Sequence, residues 1–180
     1  RTWLYYTLFK CFLLTEKPVF RDVWIHHHIV DENGKKFSKS TGTGIDPHDI
    51  LEKFGAEPFR LWVALEGNLD QSDFRCSLER IDGSQKTLTK LWNTARFISM
   101  FSKPKNKPKK LETVDEWILT ELNKMVKQAN EQFEQYDFHN PTTAAKHFLW
   151  ETFASHYLEM VKARAYNRDN AFSMQEQEAA

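Results

Sequence analysis

Lys36 and Lys39 stand three positions apart in the run Lys36-Phe37-Ser38-Lys39-Ser40, which continues as Thr41-Gly42-Thr43-Gly44 and closes with Ile45-Asp46-Pro47. Lysine is a compact, mobile point charge. Two ammonium groups on a glycine-bounded loop can close over a polyphosphate, where negative charge grows on the oxygens that leave with pyrophosphate. The hydroxyls of Ser38 and Ser40 and the amides of the loop offer further donors to the same oxygens. Composition by itself favours a solvated lysine–serine loop with no chemistry at all.

Other residue groups carry weaker chemistry. In His26-His27-His28, the first and third point to one face of an extended segment and have the ligand type to share an ion, but no third ligand lies at a telling spacing, so no tightly bound metal is expected. Lys103, Lys105, Lys107, Lys109 and Lys110 fall around Pro104 and Pro108 without an acidic residue among them. Such a run reads as a soluble linker, or as a segment reaching RNA phosphates. Asp115-Glu116 has the place of a helix-start feature rather than a catalytic pair. The Trp and Phe stripes of the later helices read as core rather than as base-stacking platforms.

Elements must position these groups. Trp3, Leu4, Tyr6, Leu8, Phe9, Phe12 and Leu13 surround a helix instead of striping one face, which predicts a helix packed on several sides. Residues 23–30 are β-branched and aromatic and read as a strand, and Asn33-Gly34 then turns the chain so that Lys35 and Lys36 return beside it. Residues 37–44 hold too little apolar surface to be fixed by packing and read as a mobile loop. Asp46-Pro47 starts a short helix that Gly55 ends, and a second helix runs from Glu57-Pro58 to Gly67, followed by a polar connector to Phe74. A long helix is predicted from Leu78 to Phe101, on apolar residues 78, 81, 88, 91, 92, 95 and 98. Beyond the lysine-rich linker, Thr113 with Glu116 reads as a capping box, and Val114, Ile118, Leu122, Met125, Ala129 and Phe133 form one stripe. Asn140-Pro141 starts a last helix with Ala144, Phe148, Phe153, Tyr157 and Val161 inward, so the second half is expected to be an antiparallel helical bundle.

Composition bounds the rest. With 25 basic and 25 acidic residues in 180, the chain has no net charge to coat a polyanion wholesale, while 41% hydrophobic and 14% aromatic content is ample for a core. Cys11 and Cys76 are too few for a disulfide scaffold and lack the paired spacing of a zinc site, which suits a reducing compartment such as the cytoplasm. The longest apolar stretch, Trp3 to Leu14, contains Lys10 and falls short of a bilayer span. Arg1 opens the sequence inside an apolar run without a leader, as in a piece cut from something longer.

The lysine run, set between an Asn-Gly hairpin and an Asp-Pro helix start, resembles the Lys-Met-Ser-Lys-Ser signature loop of class I aminoacyl-tRNA synthetases. Around it Arg1-Thr2-Trp3-Leu4-Tyr5-Tyr6, Gly55-Ala56-Glu57-Pro58-Phe59-Arg60-Leu61-Trp62, Lys90-Leu91-Trp92-Asn93 with Ala95-Arg96-Phe97, Asp115-Glu116-Trp117-Ile118 and Phe153-Ala154-Ser155-His156-Tyr157-Leu158-Glu159 resemble, in order, landmarks of the valyl branch. The resemblance implies a mostly α chain. Residues 1–80 would be the end of a Rossmann-type α/β catalytic domain, 81–112 a connecting helix and basic linker, and 113–180 the start of an antiparallel anticodon-binding helical bundle.

It further implies Lys36 and Lys39 on the ATP phosphates, with Lys39 stabilising the transition state of adenylate formation, and Ser38 and Ser40 holding the loop. His26 and His27 would lie beneath the adenosine, although His27 departs from the family's usual glycine there. Phe37 replaces methionine as the apolar anchor of the loop. Thr43 stands where the family often has Asn, a change without a physical account. Lys162, Arg164 and Arg168 are the exposed cations expected to meet RNA. The implied reaction joins valine to tRNA(Val) with Mg-ATP as substrate, by a monomeric parent. The first half of the nucleotide fold, the amino-acid pocket and the editing domain are not among these residues, so this stretch is expected to be inactive alone. An isoleucyl or leucyl relative, and a non-catalytic helical RNA-binding module, are the alternative readings.

Overall fold

Asp46 and Pro47 begin a helix for the reasons that their types suggest. The Asp46 carboxylate accepts from the His48 amide at 2.9 Å, and Pro47 occupies the first turn where no donor is missed. In the computed structural model, which describes residues 2–25, 28–31, 33–37, 44–68, 73–104, 108 and 110–180, most of the chain is helical. The order is α1 (Thr2–Thr15), β1 (Ile29–Val30), α2 (Pro47–Phe54), α3 (Ala56–Glu66), β2 (Phe74–Arg75), α4 (Leu78–Ile98), α5 (Thr113–Glu134), α6 (His139–His147), a π-helical stretch (Phe148–Tyr157), α7 (Leu158–Tyr166) and α8 (Met174–Glu178).

The strand expected over 23–30 is confined to Ile29–Val30, because its only ladder partners among the described residues reach no further: β2 runs parallel in the register Ile29↔Phe74 and Val30↔Arg75, and Lys36 bridges Val30 from the returning arm. The connector expected up to Phe74 thus ends in a strand. A parallel pair needs a crossover, and α2 and α3 supply it. The hairpin is present: Gly34 adopts φ +80°, and the Asp31 carboxylate accepts from the amides of Asn33 (2.9 Å) and Lys35 (2.7 Å).

Among the described residues, two apolar clusters form the core. Ile50 and Phe54 of α2, Trp62 of α3, Phe74, Cys76 and Ile81 form the first, in which Trp62 is 1% exposed, stacks on Phe59 and meets the Phe74 ring edge-on. Burying Trp62 contributes about 3 kcal/mol. Ile118, Tyr157, Leu158 and Val161 form the second, with Phe97, Phe148 and Phe153 against it. Phe138 joins them: it lies at the start of the α6 arm, yet its ring packs on the first cluster and beside Trp24. Gly67 is where it fits, since a Cβ there would stand 2.6 Å from the Phe138 ring.

Three expectations are corrected. Helix α1 forms but buries none of its side chains, so its all-round apolar surface is not packed on several sides by the described residues. Helix α4 turns Ile81, Ser84, Thr87 and Thr94 inward and leaves Leu91, Trp92 (71% exposed) and Ile98 out. Small hydroxyls can face inward here because Ser84 and Thr87 each donate to the carbonyl four residues back. The cap of α5 sits one residue earlier than expected: Glu112 precedes the helix and its amide donates to the Asp115 carboxylate at 3.0 Å, in place of the pairing of Thr113 with Glu116.

Candidate functional site: the lysine segment and the helical cation face

The lysine segment is fixed at both edges. Phe37 before it and Ile45 after it are partly buried against the first cluster, and the Phe37 amide donates to the Ile29 carbonyl at 3.3 Å. Lys36 is exposed one residue before the first anchor, bridged through its backbone to the buried Val30. Asp46 and α2 follow the second anchor directly. Both feet of the segment thus rest on one core. Lys39, Ser38, Ser40, His26 and His27, together with Thr43, lie outside the described residues. His28 is described and exposed. Its amide donates to Asp73 Oδ1 at 3.2 Å and its carbonyl accepts from Phe74 at 2.9 Å, so its backbone extends the β1–β2 ladder. Among the described residues no group of His, Cys, Asp or Glu is arranged to hold a metal ion.

The expected cations of the helical part fare differently. Arg168 is exposed, its guanidinium 5.0 Å from the centre of the Tyr166 ring. Lys162 is half-buried, paired with Glu159 one turn earlier and 5.8 Å over the Phe97 ring. Arg164 is not exposed, which corrects that expectation. It is 6% exposed and faces α5, donating from Nη1 to Asp115 Oδ2 at 2.9 Å and from Nη2 to Oδ1. The Tyr157 hydroxyl donates to the same Oδ1 at 3.0 Å. With the Glu112 amide, four donors meet one carboxylate that is 2% exposed. Burial is the largest influence on Asp115 and pushes its carboxyl up. The hydrogen bonds from Arg164, Glu112 and Tyr157, with the Arg164 charge, outweigh it and hold the carboxyl below the usual range. Burial first, then the bond to Asp115, raises the Tyr157 phenol well above its ordinary value. Arg164 is raised by its bond to Asp115.

No local motif announces this triad, because Asp115 and Arg164 are 49 residues apart. Lys90 gives no sign of its role in the sequence either: from α4 its ammonium lies 4.1 Å over the Trp150 ring and donates to the Trp150 carbonyl at 3.2 Å and to Ser155 Oγ at 3.1 Å. It lines a cleft of about 370 Å³ between α4 and the last helical arm, with Lys86 and Asn93 on the α4 wall and Lys162 on the opposite one.

Comparison with known proteins gives two family matches. Residues 1–75 match the family described as tRNA synthetases class I (I, L, M and V), and residues 115–180 match the anticodon-binding domain of tRNA ligase. Valine–tRNA ligases from Pyrobaculum aerophilum and Aeropyrum pernix are 41% and 39% identical, each over 100% of this chain. One from Bacillus cereus is 33% identical over 94% of it. The chain spans about a fifth of the length of these curated relatives, 22% for the first two and 20% for the third. Among solved structures, a LeuRS from Agrobacterium radiobacter in a ternary complex with tRNA and LeuAMS superposes with TM-score 0.65 over 97% of this chain and 22% of that one, at 15% identity, a likeness of fold.

Proposed function

The chain belongs to the class I aminoacyl-tRNA synthetases, on the side of the valine–tRNA ligases, and from that premise we propose that it is the part of such a ligase that grips ATP phosphates and begins the tRNA-binding bundle. The complete protein then activates valine with Mg-ATP and transfers it to tRNA(Val). The observation that carries this reading is the seating of Phe37 and Ile45 in one core on either side of the lysine segment. Lys36 and Lys39 neutralise oxygens of the leaving pyrophosphate, with Lys39 the group that acts most in the transition state. Ser38 and Ser40 hold the loop, and His26 and His27 lie under the adenosine. Phe37 serves as the apolar foot that methionine provides in relatives.

In this reading residues 1–80 are the end of the catalytic domain, 81–112 a connecting helix and basic linker, and 113–180 the start of the anticodon-binding bundle. An antiparallel bundle in the last part is supported by Asp115, near the start of α5, meeting Arg164, near the end of the following arm. Lys162 and Arg168 face the RNA, and Arg164 holds α7 against α5 instead. The protein works in the cytoplasm as a monomer; no helix among the described residues is long and apolar enough to cross a membrane. Leucyl and isoleucyl readings are not favoured, since relatives that match nearly the whole chain at 33% identity or more are valine–tRNA ligases.

The test is Lys39→Ala in the complete protein: the single-turnover rate of adenylate formation should fall while valine binding holds, and an unchanged rate would reject the assignment. These 180 residues by themselves should give no valine-dependent ATP–pyrophosphate exchange. Exchange by the purified chain would overturn that.

A further inference from the structure

The arm from α6 to α7 changes its winding midway. Over Phe148–Tyr157 the backbone is π-helical, a wide turn that is uncommon beyond one turn and that needs support. The side chains record the five-residue step: Ser155 Oγ donates to the Trp150 carbonyl at 2.7 Å, and His156 Nδ1 lies 2.6 Å from the Glu151 carbonyl. Phe148 stacks with Phe153, five positions on, and Phe153 with Tyr157. Each residue of a wide turn sweeps a smaller angle than in an α-turn, so across this stretch α7 lags its α-helical orientation by roughly half a turn. The facing of every α7 side chain therefore depends on this stretch keeping its winding.

Besides the packing on α5 and the Tyr157–Asp115 bond, a contact from α4 reaches its backbone. Lys90 of α4 places its ammonium over the Trp150 ring and donates to both the Trp150 carbonyl and the Ser155 hydroxyl that already bridges that carbonyl. A charged donor is about twice as strong as a neutral one, and here it bonds the carbonyl and the hydroxyl of one i, i+5 pair. We propose that Lys90 is a positioning residue, whose ammonium holds the Phe148–Tyr157 stretch in its wide winding and so sets the rotation of α7 that turns Arg164 onto Asp115 and leaves Lys162 at the cleft beside α4. In α winding the same sequence would swing Arg164 away from Asp115 and carry Lys162 off the Phe97 side. Its consequence for tRNA rests on the function proposed above; its consequence for the helix does not.

The experiment is hydrogen exchange and steady-state kinetics on the complete protein with Lys90→Met, Lys90→Arg and, as a milder change at the exposed partner, Ser155→Ala. Exchange in the peptide 148–157 should rise about tenfold in Lys90→Met, less in Ser155→Ala, and return toward wild type in Lys90→Arg, which keeps a charged donor. The KM for tRNA should rise about tenfold in Lys90→Met with ATP–pyrophosphate exchange unchanged, again with rescue by arginine. Unchanged exchange of 148–157 in both Lys90→Met and Ser155→Ala overturns the proposal, as does a loss in Lys90→Met that arginine fails to restore. A wild-type protein that bound no tRNA would sink the functional reading and leave hydrogen exchange, which needs no RNA, to decide on the lysine.

Discussion

Arg164 in α7 meets Asp115 at the start of α5 with both terminal nitrogens, in a pocket from which water is nearly excluded. Such a pair is costly to assemble and costlier to break, because removing one member strands a buried charge. Arg164→Met should lower stability by about 3–5 kcal/mol. Asp115→Asn in the same chain should restore part of the loss, since the stranded carboxylate is then gone. Urea unfolding midpoints of the two single variants and the double variant check this, and strict additivity would contradict it.

The same carboxylate makes stability depend on acid. Its folded value lies below the unfolded one, which is about 3.9. A depressed carboxyl contributes fully above its unfolded value, and the contribution is lost as pH falls through the folded value. Thermal midpoints measured from pH 7 down should therefore drop below about pH 4 more steeply in the wild type than in Asp115→Asn. Parallel curves would show that Asp115 is not the group responsible.

Phe37 should be replaceable by methionine but not by alanine. Methionine fills the same apolar seat against the first cluster with a cost below about 1.5 kcal/mol. Alanine frees one foot of the lysine segment and, in the complete protein, should slow ATP–pyrophosphate exchange about tenfold. Lys36→Ala should slow it by about a hundredfold with valine affinity retained. Exchange rates across the three variants separate seating from charge.

Gly67→Ala should destabilise by about 1–3 kcal/mol, since its methyl would enter the Phe138 ring and approach the Phe74 ring and the Val63 carbonyl. Phe138→Leu added to Gly67→Ala should recover part of that cost. Calorimetry on the pair decides, and no recovery would place the strain at Val63 instead.

Arg168→Ala and Lys162→Ala should each reduce the salt dependence of tRNA binding by about one unit of slope. Lys162 is also paired with Glu159, so its effect should be the smaller of the two. Titrations at several salt concentrations measure both.

Much of the fold is legible in local chemistry. Asp46-Pro47, Gly55 and the Asn33-Gly34 turn each act through neighbours a few residues away, and the structure shows each in place, while the apolar stripe of α5 is buried at Ile118 and runs out to an exposed Phe133. The features that escape a sequence reading have other causes. Strand β1 is only as long as its distant partner Phe74–Arg75 makes it, and the inward face of α4 carries hydroxyls that read as polar surface until they are seen to bond their own helix. Arg164 reads as a surface cation until Asp115 is known to face it. The wide winding does leave a trace: the step from Phe148 to Phe153 is five residues, one more than an α-helical face repeats. The roles of Lys39, Ser38, Ser40, His26 and His27 rest on their types and order alone, since they lie outside the described residues.

Phe138 belongs by sequence to the later helical arm and by packing to the earlier core, where Gly67 makes room for it. A side chain lodged that way ties the melting of the later arm to that of the earlier core. Neither portion can loosen without pulling the ring from the other, so heating should give a single calorimetric peak, and excising either portion should leave the remainder with an open socket or a bare aromatic plug.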